Sequence, residues 1–407
     1  MKRILLILVI NLLAVAVEIK AQSQVSNNQL IKVDVTRNYP KKELILQDCM
    51  DVEYIPLETN RDFVNQGIVM DIGKKLIVVI NFNHDGDIFI YNRTGKALRK
   101  INRKGGSGEE YNDIVGITLD EDNKEMFVSD PFTGKILVYD LSGKFKRSFK
   151  QRACNDNKFF NHIFNYNKEH LICWDRQSKE APFILMSKQD GSIFKDIKIP
   201  FKKKILLENT LTDKGTQIIK RGQGGFVTTT STVKVQGVSP NGYFNTMVNF
   251  NSNWILVEYS SDTVYAYSPD FNLHPFLVRT PTIQSMDPGV FLMLSLFTDR
   301  YFFMQTVKNV YDWNTKKGFP ETNLMYDNKE KNFFEYTVYN GDYSTKKEIR
   351  MNGFKSGNQE NQSWQTFEVY RLIEDYKKGI LKGRLKEIAS KLEEDDNRVI
   401  MLVKPKK

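Results

Sequence analysis

Alternating apolar and polar positions divide most of the chain into short β-strands that recur at a fixed spacing. Three segments align: residues 76–101 (LIVVINFNHDGDIFIYNRTGKALRKI), 126–149 (MFVSDPFTGKILVYDLSGKFKRSF) and 171–197 (LICWDRQSKEAPFILMSKQDGSIFKDI). Each predicts strand, short loop, strand, tight turn and strand. The turn glycines Gly95, Gly143 and Gly191 are two steps of 48 residues apart (143 − 95 and 191 − 143). Because glycine supplies the positive φ of such turns, these positions predict hairpins.

Weaker copies follow at residues 255–278, 301–307 and 323–339, so an insertion must lie between Phe201 and Asn253. A period in the forties with several strands per unit is typical of β-propeller blades. Solenoid repeats are usually shorter, and parallel βαβ repeats would need a helix between strands, which the first three units lack. Five units are visible and a sixth can be assembled from the chain ends. The pattern therefore predicts an all-β, six-bladed β-propeller.

The two chain ends are expected to share the closing blade. Residues 52–57 and 399–403 are both strand-like, and their pairing would remove the two exposed sheet edges of an open ring. A short C-terminal helical segment is predicted over 364–378 and 384–394. Its apolar stripe predicts either packing against the propeller, the favoured role, or binding of a partner. The stripe consists of Leu385, Ile388, Ala389 and Leu392.

Residues 1–21 have the layout of a secretory signal peptide. Lys2 and Arg3 precede an apolar run of 14 residues (4–17), and Ala21 supplies the small residue before a cleavage point at Gln22. An uncleaved anchor is the alternative, but a membrane span needs about 20 apolar residues. We therefore predict a signal peptide (1–21), a lead-in segment (22–47) and a propeller (48–407). No cysteine lies near the cleavage point, so the expected protein is periplasmic or secreted without an evident lipid anchor or transmembrane segment.

Composition and charge narrow the classes of partner. Of 407 residues, 41% are hydrophobic and 12% aromatic, and 59 Lys and Arg against 49 Asp and Glu give a net charge of +10. The basic residues are scattered, and with export this disfavours nucleic acid and leaves an anionic glycan or envelope surface. The three cysteines are Cys49, Cys154 and Cys173. Either Cys154 and Cys173 pair or all three stay unpaired. We expect a monomer.

Four stretches carry a resemblance to a known family. They are DVEYIPLET (51–59), KGGSGEEY (104–111), KILVYDLSGKF (135–145) and LKEIASKLEEDDNRVIMLVK (385–404). Over roughly residues 48–403 the chain resembles the six-bladed propeller proteins, related to NHL-repeat propellers, that Bacteroidetes-type bacteria export in many copies. It departs from them at Ser107, where the family often has proline, and in lacking the lipid-anchor cysteine of many members. Because most members have no assigned activity, the resemblance implies a fold and export more than a function.

Candidate ligand-binding residues lie in the loops that follow the innermost strand pair of each unit. They are His84, Asp85, Asp130, Asp175, Arg176, Ser261 and Asp262. Equivalent loops gather around one end of a propeller's central channel, so these side chains could converge on a ligand. The alternative is that Asp and Ser simply favour turns. Trp174 could be a stacking platform for a sugar or could belong to the packing of a blade.

Motifs for catalysis or metal binding are weak. Residues 81–92 faintly resemble a calcium loop, but Asn81 and Asn92 stand where acidic ligands are needed, which favours a polar hairpin. His162 and His170 lack a third ligand, so no metal or cofactor is predicted. The chain lacks the G-x-S-x-G, Walker and H-E-x-x-H motifs. The favoured hypothesis is a binding or scaffold propeller of the cell envelope that recognises a glycan, a peptide or an envelope protein. The alternative is a propeller lyase or hydrolase acting on a glycan or peptide.

Overall fold

The computed structural model describes most of the chain from residue 30 to residue 406. Between residues 206 and 244 it describes only the backbone of two strands. The predicted signal peptide and Cys154, and with it the predicted pairing with Cys173, lie outside the described residues. The other positions left out are 83, 152–159, 161, 177, 206–209, 222–224, 237–244, 313–314, 316, 359–360 and 407.

Six sheets follow one another along the chain, and in each of them four strands pair antiparallel or join the blade in sequence order, while three sheets take one strand from the N-terminal part of the chain. The chain begins with β1 (Ile31–Asp34), β2 (Lys41–Ile45), the short helix α1 (Leu46–Cys49) and β3 (Met50–Pro56). The first blade contains β4 (Ile68–Ile72), β5 (Leu76–Ile80), β6 (Asp87–Asn92) and β7 (Ala97–Asn102). The second contains β8 (Gly116–Asp120), β9 (Glu125–Asp130), β10 (Lys135–Asp140) and β11 (Phe145–Lys150). The third contains β12 (His162–Asn165), β13 (His170–Trp174), β14 (Phe183–Ser187) and β15 (Ile193–Ile197).

The second half of the ring contains a hairpin, a short ribbon and two helices in addition to the blade strands. A separate hairpin, β16 (Thr210–Arg221) and β17 (Gly225–Gln236), fills the predicted insertion. The fourth blade contains β18 (Met247–Phe250), β19 (Asn253–Leu256), β20 (Thr263–Tyr267) and β21 (Leu273–Thr280). The fifth contains β22 (Val290–Phe297), β23 (Tyr301–Lys308), β26 (Glu321–Asp327) and β27 (Asn332–Tyr339), with a ribbon of β24 (Tyr311–Asp312) and β25 (Lys317–Gly318). The sixth contains β28 (Lys355–Ser356), β29 (Ser363–Phe367), the helices α2 (Val369–Lys377) and α3 (Gly383–Ala389), and β30 (Val399–Pro405). Ile283–Ser285 and Met351–Gly353 are 3-10 turns.

The chain is an all-β, six-bladed propeller, as the repeat predicted, and the chain ends close it. β3 pairs antiparallel with β30 along its whole length, from Met50 opposite Pro405 to Pro56 opposite Val399. The closing blade therefore takes its outer strand from the N-terminal part and its inner three strands from the C-terminal part. This pairing covers the open edge of β30, the physical reason for expecting closure.

The turn glycines repeat one packing arrangement from blade to blade. Gly95, Gly143 and Gly191 all have positive φ, between 74° and 90°. A β-carbon on Gly95 would lie 2.1 Å from the Pro56 carbonyl oxygen, whereas at Gly143 and Gly191 it would meet the Ile101 and Phe149 side chains at 2.7 and 2.4 Å. Each turn thus lies against the last strand of the preceding blade. Because the same contact recurs from blade to blade, a turn glycine recurs every 48 residues along the sequence.

The described part of the lead-in segment adds strands to two blades. β1 pairs in parallel with β21 of the fourth blade, and β2 pairs in parallel with β27 of the fifth. Val33 and Leu46, which belong to this N-terminal part of the chain, are fully buried. Residues 31–56 therefore run along the outer edges of three consecutive blades before the first blade begins.

The predicted helix over 364–378 is wrong at its start. Trp364 lies in β29, directly between Lys355 of β28 and Leu402 of β30, and the helix begins only at Val369. Because Trp364 is paired with strand residues on both sides, it is a strand residue although the sequence from 364 onward has a helical pattern. α3 packs through Leu385, Ile388 and Ala389 into the core at the closing blade, which is the favoured role predicted for that stripe. Among the described residues, no helix is long and apolar enough to cross a membrane.

Candidate functional site

The predicted loop residues in the first blade form a hydrogen-bonded turn. His84 Nδ1 lies 2.7 Å from Asp113 Oδ1, on the connection to the second blade. Asp85 accepts hydrogen bonds from Asn81 Nδ2 at 2.7 Å and from the Asp87 backbone N–H at 2.9 Å. This is the polar hairpin that was favoured over a calcium loop, and Gly86 at its tip has a φ of 85°.

The acidic residues of the later loops also bind backbone amides. Asp130 accepts from the N–H groups of Asn112 and Phe132, both at 2.9 Å. Asp175 accepts from the Ser178 N–H at 3.1 Å. The Ile283 N–H donates to Asp262 at 2.6 Å. These bonds fix loops and blade connections. Their convergence on a ligand stays a prediction.

Trp174 belongs to the packing between the third and fourth blades. Its ring lies 5.4 Å from His162 and 6.3 Å from Tyr259, measured between ring centroids, and its side chain is buried. Arg176 follows in the same loop, close enough for its charge to act on the buried Tyr259 hydroxyl, whose pKa is raised mainly by burial. The indole face is therefore occupied by protein rings.

The two predicted histidines do not come together. His162 Nδ1 lies 2.9 Å from Thr246 Oγ1, while His170 contacts Asn167 and lies 4.2 Å, between ring centroids, from Phe194. Among the residues that the structure describes, no group of three His, Cys, Asp or Glu side chains could hold a metal ion.

A cavity of about 260 Å³ between the inner strands of the sixth and first blades offers a better candidate site. Antiparallel alternation places the start of β4 and the β5–β6 loop at one end of the ring, and both border this cavity. The same loop carries His84 and Asp85. The lining residues are Gly67, Ile68, Val69, Phe82, Gly353, Lys355, Trp364, Gln365, Thr366 and Arg398.

Lys355 and Trp364 face each other across the β28–β29 ladder. Directly opposite residues of an antiparallel pair project from the same face of the sheet, so both side chains lie on the side of the sixth blade that borders the cavity. Burial lowers the pKa of Lys355, and the charge of Arg398 lowers it further. Burial and then the charge of Lys355 lower the pKa of His162 to about 4, so its imidazole is neutral at pH 7.

Arg398 is held in the cavity wall by two neighbours. Its Nε donates to Glu368 Oε2 at 3.2 Å, and its Nη2 contacts the other oxygen of that carboxylate. Its aliphatic carbons lie where a β-carbon on Gly67 would be, at 2.5–2.9 Å, and Gly67 has a φ of 68°. A side chain at position 67 would therefore displace Arg398.

The Trp364 indole has a buried N–H without a partner in the described structure. The side chain is 2% exposed, and the far edge of its six-membered ring would lie 2.6 Å from a β-carbon on Gly357. Gly357 is thus required by close approach of the ring. The Nε1 atom of Trp364 is enclosed by protein, although other atoms of the side chain line the cavity.

Sequence reasoning missed these residues because they are distant along the chain. Gly67, Lys355, Trp364 and Arg398 meet only after the ring has closed, and Trp364 was assigned to a helix. The predicted pairing of 52–57 with 399–403 was the one available signal, because it placed the last blade beside the first.

Comparison with known proteins identifies the family. A family described as a domain of unknown function, DUF4934, matches residues 30–404, and the chain belongs to it. A Bacteroides fragilis protein whose name describes it as inferred to be exported has a similar structure. The two structures align with a TM-score of 0.58 and 14% sequence identity, over 90% of this chain and 99% of that one. A DUF4221 member from Bacteroides vulgatus aligns at TM-score 0.45 and 10% identity, over 88% and 97% of the two chains. No curated protein matches. The first similarity supports the propeller fold.

Proposed function

We propose that this DUF4934 member is an exported propeller that binds a small ligand in the cavity between its sixth and first blades. The observation that carries the proposal is the cavity itself, a space of about 260 Å³ lined by apolar side chains and by the polar side chains of Lys355, Gln365 and Arg398. Trp364 lines the same cavity, so a bound ligand would change the surroundings of its indole ring.

The lining chemistry favours recognition over catalysis. The wall combines apolar side chains with a few polar groups from Lys355, Trp364, Gln365 and Arg398, as in ordinary ligand sites. A lyase or hydrolase would need an activated nucleophile or a general acid and base within hydrogen-bond reach. The lining residues suggest no such pair. Turnover that depends on one of them would support the enzyme alternative instead.

Nuclear magnetic resonance of the indole N–H groups tests the binding proposal. The chain has four tryptophans, so its nitrogen-15 spectrum contains few indole peaks, and Trp364→Phe assigns one of them by its disappearance. We expect some members of a mixed set of small acids, amides, amines, sugars and dipeptides to shift the Trp364 peak. Trp364→Phe should weaken their binding, while Trp254→Phe, in the core between the third and fourth blades, should not. A set that leaves the Trp364 peak unmoved would contradict the proposal.

Export and localisation are proposed from the layout of residues 1–21. The mature protein is expected in the periplasm or the medium, where its envelope partner or ligand would be met. N-terminal sequencing of protein recovered from those fractions should give a chain beginning near Gln22. A recovered chain that begins at Met1 would contradict processing.

A further inference from the structure

Both cations in the cavity wall are already engaged within the protein. Arg398 donates through Nε to Glu368 Oε2 at 3.2 Å, and its Nη2 contacts the other oxygen of that carboxylate. Lys355 also has an interaction partner in the chain. A carboxylate that entered the cavity would lose hydration and would compete with Glu368 for the same guanidinium group. The wall is therefore poorly suited to an anionic ligand.

A cationic ligand is disfavoured for a different reason. Lys355 and Arg398 are close enough for the charge of Arg398 to lower the pKa of Lys355. None of the residues that line the cavity in the described structure is acidic. An ammonium group in this space would add a third positive charge to a partly buried wall without a carboxylate. The charges of the wall thus match an uncharged ligand.

Phe82 presents a large apolar surface at the cavity. Its side chain is 58% exposed and lines the cavity together with Ile68 and Val69 of the first blade. Its loop is nevertheless held in place, because the Phe82 N–H donates to Gln66 Oε1 and the Gln66 N–H donates to Asn81 Oδ1 at 2.8 Å. A ligand that covers this ring removes apolar surface from water. The wall therefore favours a ligand with an apolar body.

Gln365 supplies a neutral polar group in the same wall. Its Nε2 atom lies 3.5 Å from the sulfur of Met401, which is a weak acceptor, and its Oε1 atom would lie 3.2 Å from a β-carbon on Gly353, another lining residue. A side-chain amide can donate to a ligand hydroxyl or amide and accept from it. The cavity volume of about 260 Å³ is slightly below the range of most ligand pockets, roughly 300–1,000 Å³, which favours a small molecule.

We infer that the ligand is a small uncharged molecule with an apolar body and one hydroxyl or amide group. The apolar body lies against Ile68, Val69 and Phe82, and the Gln365 amide binds the polar group. The inference rests on the proposed function and names the ligand class of that site.

Probes of one shape and different charge test the inference. The neutral probes are 3-phenylpropan-1-ol and 3-phenylpropionamide, and the charged ones are 3-phenylpropionate and 3-phenylpropylamine, which is a cation at pH 7. N-acetylphenylalaninamide represents a peptide side chain as the source of the same chemistry. Dissociation constants come from titration of the Trp364 indole peak and from calorimetry on the full mature chain. We expect at least one neutral probe to bind about tenfold or more tightly than both charged ones.

Glu368→Gln tests the charge argument with little change in the size of the side chain. It removes the negative charge that pairs with Arg398. We expect 3-phenylpropionate to bind this variant about tenfold more tightly than the wild type, while the alcohol binds both alike. Glu393→Gln, at an exposed glutamate, is the matched control and should change neither. Unchanged binding of the acid to Glu368→Gln would mean that this ion pair does not set the ligand class.

Two further variants test the apolar and polar contacts. Phe82→Ala should weaken binding of the alcohol several-fold, whereas Phe132→Ala, at a 75% exposed phenylalanine that does not line the cavity, should not. Gln365→Leu should weaken the alcohol but not propylbenzene, which has the same ring and chain without the hydroxyl. Equal effects of the two phenylalanine variants, or of Gln365→Leu on alcohol and hydrocarbon, would contradict the assigned contacts.

The outcomes distinguish the inference from the proposed function. If an acid or an amine binds as tightly as the neutral probes, or if only acids, amines or sugars shift the Trp364 peak, the uncharged apolar ligand is ruled out and the ligand-binding cavity stands. If no compound of any class shifts that peak, the proposed function fails as well.

Discussion

The Asp71 Oδ2 atom accepts a hydrogen bond from the backbone N–H of Leu119 at 2.8 Å, so a carboxylate of the first blade holds the inner strand of the second. Asn358 Nδ2 of the sixth blade donates to the same oxygen, and the Ile72 N–H donates to Oδ1 at 2.9 Å. The side chain is buried in the channel wall. One acidic group thus ties the inner strands of the first two blades to the β28–β29 connection of the sixth.

The stability of the ring should depend on the ionisation of Asp71. Burial raises its pKa to about 7 from 3.8, although hydrogen bonds oppose the shift. Between these values the folded state binds a proton that the unfolded state has lost, so stability falls as pH rises through this window. The loss is complete above pH 7, at a cost on the order of 4 kcal/mol, and absent below the unfolded pKa.

Asp71→Asn should remove most of this pH dependence. Urea unfolding at pH 4.5 and pH 7.5 measures it, and the variant should gain stability relative to the wild type at the higher pH. Asp395→Asn, at an exposed position, is the control. Parallel pH profiles for the wild type and Asp71→Asn would contradict the prediction.

Lys42 anchors the N-terminal segment to the fifth blade. Its Nζ lies 2.8 Å from Asp327 Oδ2, and the Asp327 side chain is fully buried. Burial would raise the pKa of Asp327, but hydrogen bonds from Arg300 and Lys42 outweigh it and hold the pKa well below 3.8. A depressed carboxyl pKa contributes stability above the unfolded pKa, and this contribution is lost as pH falls through the folded value.

We therefore expect Lys42→Met to destabilise the protein by about 1–3 kcal/mol at pH 7, because among the described residues Asp327 then keeps Arg300 alone as a cationic partner. The difference from the wild type should shrink in acid. Thermal unfolding measures the loss of stability. Lys41→Met, at the exposed neighbouring residue, should have little effect in the same measurement. Equal effects of the two variants would mean that the ion pair does not hold the segment.

Gly95 is the turn glycine with the least room for a side chain. A β-carbon there would lie 2.1 Å from a backbone oxygen, which cannot rotate away, and its φ is 82°. Gly134 also has a positive φ, 61°, but nothing lies within 4 Å of its β-carbon position. Gly134→Ala should cost about 1–2 kcal/mol from backbone strain alone. Gly95→Ala should cost clearly more, and comparable losses in chemical unfolding would refute the packing argument.

His162 should report the charge of Lys355. Its pKa is lowered to about 4 from 6.5, mainly by burial and then by the charge of Lys355. A proton titration by nuclear magnetic resonance should show His162 unchanged down to about pH 5. Lys355→Met should raise the pKa of His162, because it removes a nearby positive charge. An unshifted His162 would place the two groups beyond electrostatic reach.

The residue pattern alone was sufficient for the architecture. Gly95, Gly143 and Gly191 gave the blade period because each turn needs a positive φ and lies against the preceding blade, so local chemistry and packing impose the same residue. The pairing of 52–57 with 399–403 followed from the need to cover a sheet edge. The turn glycines are periodic, and each end segment is recognisable locally as a strand, so both features are visible in a sequence.

Tertiary structure alone decided the candidate site and the pairing of β1 and β2 with the fourth and fifth blades. The spacing placed the loop acids at comparable positions, but only the fold shows that Asp130 and Asp262 are occupied by backbone amides. Trp364 followed a helical pattern until ladder pairs on both sides made it a strand residue. Gly67, Lys355 and Arg398 are separated by long stretches of chain, and ring closure brings them to one cavity. No local sequence pattern predicts that these residues lie close together, because their proximity depends on where the last blade packs against the first.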